Sequence, residues 1–175
     1  MILKHFKKEY DMPTTEKDEF IKNWEREFQT TMKVLKSYPE NKLDLKPHEK
    51  SRSAKELAWT LNNEEKVLIG GAISGKFDFT GTPPPPPTLK EILSIYESNH
   101  KENVEKVMKM TDQDMNKTVQ FMTAPNQMSD MRTADVLWTS IMDTVHHRGQ
   151  FSVYLRMAGG KVPSIYGPSA DEPWR

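Results

Sequence analysis

The sequence predicts an all-α fold, a four-helix bundle with crossover connections, and three observations predict it. Four stretches carry large apolar residues at helical spacing, the segments between them lack sustained strand-type alternation, and proline and glycine gather in the gaps. At 175 residues and 20.3 kDa the chain suffices for one bundle domain spanning residues 1–175, with a core of its own, and not for two.

Residues 1–13 show no clear period and end at Pro13, which predicts a loosely attached leader. Phe20, Trp24, Phe28, Met32 and Leu35 then recur at spacings of four and three, which lays one apolar stripe along a helix over about 15–37. Thr15 with Asp18 supplies its N-terminal cap, the hydroxyl accepting from a free backbone N–H of the first turn. Pro39 and Pro47 bracket a loop in which Leu43 and Leu45 are apolar pins. Ser53 with Glu56 forms a capping box opening a second helix over roughly 53–74, whose apolar residues are Ala54, Leu57, Ala58, Leu61, Val67, Leu68 and Ile69. Pro83 to Pro87 cannot donate backbone hydrogen bonds and favours an extended polyproline conformation, so it reads as a stiff surface strap, with a proline-recognition ligand as the other use of such a run.

Thr88 with Glu91 caps a third helix, about 88–110, marked by Leu89, Ile92, Leu93, Tyr96, Val104, Val107 and Met110. Between Thr111 and Met128, the turn formers Asp112, Asp114, Asn116, Pro125 and Asn126 flank a short apolar piece, a long connection with room for a brief strand or a helical turn. The fourth helix, about 130–158, closes at Gly159-Gly160, and residues 159–175 form an irregular tail too rich in Pro and Gly for a helix.

Composition removes several function classes. With 25 basic and 25 acidic side chains the formal net charge is zero, so no broad field draws nucleic acid or an anionic membrane. The absence of cysteine removes disulfides, CxxC redox chemistry, zinc fingers and a protein thiol nucleophile, so any thiol chemistry belongs to a substrate. The N-terminus is basic without an apolar core, and no run approaches the ~18 apolar residues of a membrane span, which sets the expectation of a cytoplasmic protein.

Chemistry concentrates in Met142 to Gln150 on the last helix, where polar groups are expensive unless partnered. At 100° per residue, Asp143, His147, Gln150 and Tyr154 fall within about 60° of one another and form a polar row along an internal cleft. Asp143 and His147, at i and i+4, either hold one metal ion together or hydrogen-bond each other. A metal needs a third ligand from another helix, and helix two offers Thr60 on the side that also carries Leu57, Glu64 and Val67. Thr60 also suits a satisfied core hydroxyl, while Glu64 reads as a cavity-lining residue that is the alternative third ligand to Thr60 or else an exposed carboxylate. His146 reads as a cavity-rim histidine, Arg148 as an ion-pairing residue that fixes helix packing, and Gln150 as a hydrogen-bond partner across the bundle. His5, His48 and His100 stand alone and receive no role.

The run His146-His147-Arg148-Gly149-Gln150-Phe151-Ser152-Val153-Tyr154-Leu155-Arg156, followed by Gly159 and by Val162 to Gly167, strongly resembles the DinB-like family. Ser51 to Thr60 looks like that family's segment leading into its second helix, and Trp24 with Leu35 fits its first, so the resemblance covers nearly the whole chain. It implies a crossed, non-sequential four-helix bundle that forms homodimers and holds a divalent metal through three histidines. One of these sits on the second helix and two, at i and i+4, on the last. It also implies, for some members, transfer of low-molecular-weight thiols such as bacillithiol or mycothiol, the metal lowering the pKa of a bound thiol or water. Carried over position by position, the triad falls on Thr60, Asp143 and His147, so a hydroxyl and a carboxylate stand where two imidazoles are expected, which disfavours zinc or nickel and suits a harder ion. Two functions follow as expectations: a divalent-metal-dependent transferase acting on a small molecule, or a metal-free bundle acting as a small-molecule-binding or dimeric stress-related protein.

Overall fold

The computed structural model describes residues 14–79, 81 and 83–174; the expected leader over 1–13 lies outside them. The chain is mostly helical. Helix α1 spans Glu16–Lys36, and Thr15 and Asp18 form the reciprocal capping box at its start. Helix α2, Ala54–Asn63, opens on the Ser53–Glu56 capping box. It runs on without a break through a six-residue π-turn, Glu64–Ile69, into α3, Gly70–Ser74, which ends on Gly75 in the left-handed conformation. Helix α4, Leu89–Met108, carries the Thr88–Glu91 box.

The long connection holds more than loop. A short helix α5, Asp112–Met115, is capped by Thr111 and Asp114. An antiparallel hairpin of β1, Thr118–Ala124, and β2, Gln127–Arg132, follows it. This corrects the all-α expectation. The hairpin turns at Pro125-Asn126, where proline presets its own φ and Asn126 takes φ 59°, a left-handed value that asparagine tolerates. Val119, Phe121 and Met131 add its inner face to the core. Helix α6, Thr133–Met157, therefore starts three residues later than its apolar pattern suggests, because residues 130–132 pair with residues 118–120.

Helix α1 packs against α4 and α6, and α2 packs against the same two helices. The core divides into two apolar clusters. One contains Phe28, Leu35, Leu57, Tyr96, Phe151 and Leu155, the other Phe20, Trp24, Ile69, Val107, Leu137 and Ile141. On every long helix the residues between the two clusters are buried and polar: Glu27 and Thr31 on α1, Glu64 and Glu65 in the π-turn, His100 and Asn103 on α4, and Arg148 on α6. A polar layer thus crosses the middle of the molecule, and each of its members needs a partner.

The tail is irregular yet tied down. Asp171 accepts from the Val162 N–H at 2.8 Å and pairs with Arg156 at 2.6 Å, while Glu172 meets Lys33 at 2.7 Å. The proline strap is anchored where the Trp59 indole donates to the Pro83 carbonyl at 2.7 Å. Among the described residues no helix is long and apolar enough to cross a membrane.

Candidate functional site

A cleft of about 880 Å³ opens beside α2 and the π-turn, walled by α4, by Lys76, Asp78, Phe79, Gly81 and Pro83 to Pro85 and, at one end, by α6. At that end Glu64, Asp143 and His147 converge, with one ligand atom from each lying within 4.8 Å of the others. The last helix contributes Asp143 and His147 because they are one turn apart, and the π-turn contributes Glu64. The His147 Nδ1 and Glu64 Oε1 atoms touch as an ion pair, and Asp143 Oδ1 stands 3.6 Å from the same nitrogen. Thr144 fixes the far side of the carboxylate, its hydroxyl donating to Glu64 Oε2 at 3.1 Å.

The electrostatics follow from burial. Loss of solvent, the largest influence, pushes the Glu64 carboxyl above its ordinary range, against the pull of His147 and Thr144. The Glu64 carboxylate in turn raises the His147 imidazole, partly opposed by burial and by the nearby Arg52.

Two observations fit this site to a divalent cation. Glu64 Oε1 and His147 Nδ1 are buried and, despite their contact, neither makes a hydrogen bond of acceptable geometry among the described residues. Two atoms that would each be satisfied by an ion therefore face the same point. The donor set, one imidazole and two carboxylates, is oxygen-rich and suits magnesium or manganese better than a thiolate- or imidazole-seeking ion.

Not every expected residue belongs to this group. Thr60 lines the cleft, but its hydroxyl donates back to the Glu56 carbonyl at 3.0 Å. The side chain that comes within reach of Asp143 and His147 is instead Glu64, which is longer and starts one turn further along. His146, Gln150 and Tyr154, expected along the cavity, are not among the residues that line this cleft. All three lie on or beside the same helical row, but what covers the row changes along it. At Asp143 and His147 the cover is the π-turn. Beyond it, His146 and Gln150 are exposed and bond each other at 2.8 Å. Further on, Tyr154 turns into the core and donates to the Arg52 carbonyl at 2.9 Å.

Arg148 has the packing role expected of it. The residue is 1 % exposed, and its guanidinium pairs with Glu27 Oε2 at 2.7 Å and donates to the Glu27 carbonyl at 3.1 Å and the Thr31 hydroxyl at 3.3 Å. The Tyr166 hydroxyl, from the tail, closes this cluster against both charged groups.

Sequence reasoning missed Thr144 and the cleft walls formed by Trp59, Phe79, Asn99 and Asn103. One signal was present: Glu64-Glu65 is a pair of adjacent acids within a stretch of apolar helical spacing, and both are buried.

Comparison with known proteins gives a consistent assignment. The model of the DinB family matches residues 12–174. The uncharacterized protein YrdA of Bacillus subtilis (strain 168) is 29% identical over 163 residues, covering 89% of this chain and 90% of YrdA. A crystal structure of a DinB-like protein from Bacillus cereus ATCC 10987 is 28% identical, with a TM-score of 0.73 over 84% of this chain and 95% of that one. A second DinB-like protein, YjoA of Bacillus subtilis, matches in fold, with a TM-score of 0.66 at 15% identity over 82% of this chain and 93% of that one.

Proposed function

The chain belongs to the DinB family, and we propose that it holds one divalent metal ion on Glu64, Asp143 and His147 and uses it to transfer or activate a small nucleophile of the low-molecular-weight thiol class. The observation that carries this reading is the convergence of three ligand atoms, two of them buried without hydrogen bonds, at the end of the cleft. A bound ion supplies Lewis acidity, which lowers the pKa of a thiol or water and makes a nucleophile near neutral pH. The chain's own residues hold and orient. Thr144 fixes the Glu64 carboxylate, Arg52 places a positive charge near the site, and the indole and proline face of Trp59 and Pro83 gives a substrate an apolar wall.

The test is elemental analysis of protein purified without a polyhistidine tag, before and after dialysis against Mn²⁺ or Mg²⁺. Near-stoichiometric metal that is lost in His147→Ala and Glu64→Gln is expected. No retained metal under any loading condition would refute the reading. A second reading has one observation in its favour: Glu64 and His147 neutralise each other as an ion pair, so the same cleft also serves a metal-free protein that binds a small molecule without catalysis.

Three further readings go with the first. The packing of α1 and α2 each on α4 and α6 supports a crossed four-helix bundle. On α6 the exposed Met142, His146, Gly149, Val153 and Met157 form an uncharged stripe suited to a second copy of the chain. Light scattering is expected to give about twice 20.3 kDa, and a mass of 20.3 kDa across micromolar concentrations would exclude the dimer. A cytoplasmic location, without nucleic acid or membrane as a partner, fits the zero net charge.

A further inference from the structure

Asn103 is a buried α4 side chain that touches no ligand atom of the candidate centre, yet it is bonded to the backbone that presents Glu64. Its Nδ2 donates to the Glu65 carbonyl at 2.7 Å, inside the π-turn. The same carbonyl also accepts the Gly70 N–H that closes this wide turn. The neighbouring carboxylate is held as well: the Trp24 indole donates to Glu65 Oε2 at 3.3 Å, and His100 Nδ1 lies 3.2 Å from Oε1. His100 is itself fixed, stacked on Phe28 at 3.6 Å between ring centroids with an interplanar angle of 2°. Glu65 is therefore gripped through its backbone and its side chain by α1 and α4, while Glu64, one residue earlier, faces α6.

A π-turn spends one extra residue per turn, and single turns of this kind recur at functional sites. Its effect is readable here. Regular α spacing from Leu57 and Leu61 puts Leu68 in the core; instead Ile69 is buried and Leu68 lines the cleft, a displacement of one residue. If the turn relaxed to a regular helix, the two halves of the helix would rotate against each other by roughly 100°, the angle of one residue. Glu64 and Glu65 could not then both keep their partners.

We propose that Asn103 is a positioning residue: by holding the Glu65 carbonyl it keeps the π-turn in register, and this register makes Glu64 the third donor of the metal centre. The inference rests on the metal-binding reading given above.

The test is calorimetric titration with Mn²⁺ on the full-length protein, its Asn103→Leu variant and its Asn103→Gln variant, together with the metal-free melting temperature of each. Leucine keeps the bulk and removes the donor, and glutamine restores an amide. The expected result is Mn²⁺ affinity reduced tenfold or more in Asn103→Leu at a temperature where the variant is fully folded, with recovery of at least part of the loss in Asn103→Gln. A residue with only a structural role would lower the melting temperature and leave the affinity unchanged, and that outcome overturns the inference while the metal reading stands. An unaltered protein that binds no Mn²⁺ overturns both. If Asn103→Leu fails to fold, Asn103→Ser, smaller and too short to reach the carbonyl, carries the same comparison with the same two outcomes.

Discussion

Arg148 is the largest side chain sealed inside the molecule, and its charge is tolerated only because Glu27, Thr31 and Tyr166 surround it. Arg148→Met should lower stability in urea unfolding by about 3–5 kcal/mol, since it leaves Glu27 charged and buried, and adding Glu27→Gln should return part of that loss. Burial pushes the Glu27 carboxyl up, but hydrogen bonds from Tyr166 and Arg148 and the Arg148 charge win, and the group ends below its ordinary 4.5. A depressed folded value means that the stabilisation is present above that ordinary value. Unfolding measured against pH should show it lost as pH falls through 4.5 and below, and the loss should be absent in Glu27→Gln. His147 gives the opposite sign. Its imidazole is raised above 6.5, so protons compete with a metal ion at a higher pH than at a free histidine, and Mn²⁺ affinity should fall about tenfold per pH unit below the raised value. The Asp143–His147 pair was legible from its spacing alone. Glu64 was legible only as an alternative to Thr60, because helical arithmetic puts both on one side, and only the bond from Thr60 back to Glu56 and the buried contact of Glu64 separate them.

Among the elements, the helices were legible wherever a cap and an apolar stripe agreed, as at Thr15, Ser53 and Thr88. The hairpin was not. β1 exposes Thr118, Gln120 and Met122 and fully buries only Val119, so its alternation is too weak to stand out from a loop, while Pro125-Asn126 did signal the turn. The π-turn had no pattern of its own, since an extra residue in a helix changes the period only locally. The end of α6 makes a sharper prediction. Gly159, at φ 80°, caps the helix while the Gly160 N–H returns to the Leu155 carbonyl at 3.0 Å. Gly159→Ala should cost about 1 kcal/mol in thermal or urea unfolding, from backbone strain in the left-handed region. Gly160→Ala should cost more, because a methyl there would lie 2.2 Å from Leu155 Cδ1 and 3.2 Å from the Ser37 carbonyl oxygen.

For the whole molecule, the division of the core into two apolar clusters with a polar layer between them ties the candidate site to stability. A ligand that binds only the folded state adds about 2.7 kcal/mol at a hundred times its dissociation constant. For a chain of this size that corresponds to a rise of about 5–10 °C in melting temperature. Saturating Mn²⁺ should produce that rise in calorimetry, and His147→Ala should abolish it. That helices would pair was legible in the sequence; the layer was not, because His100 stands alone there, no motif marks Glu27 or Glu65, and only packing brings them to one level. The tail clamp has a consequence for the order of synthesis. Glu27 leaves the ribosome 121 residues before Arg148 and 139 before Tyr166, so until both have followed it the acid of α1 has only its neighbour Arg26 as a charged partner in this cluster. The buried contacts of the first helix are thus completed only after α6 and the segment carrying Tyr166 have been made.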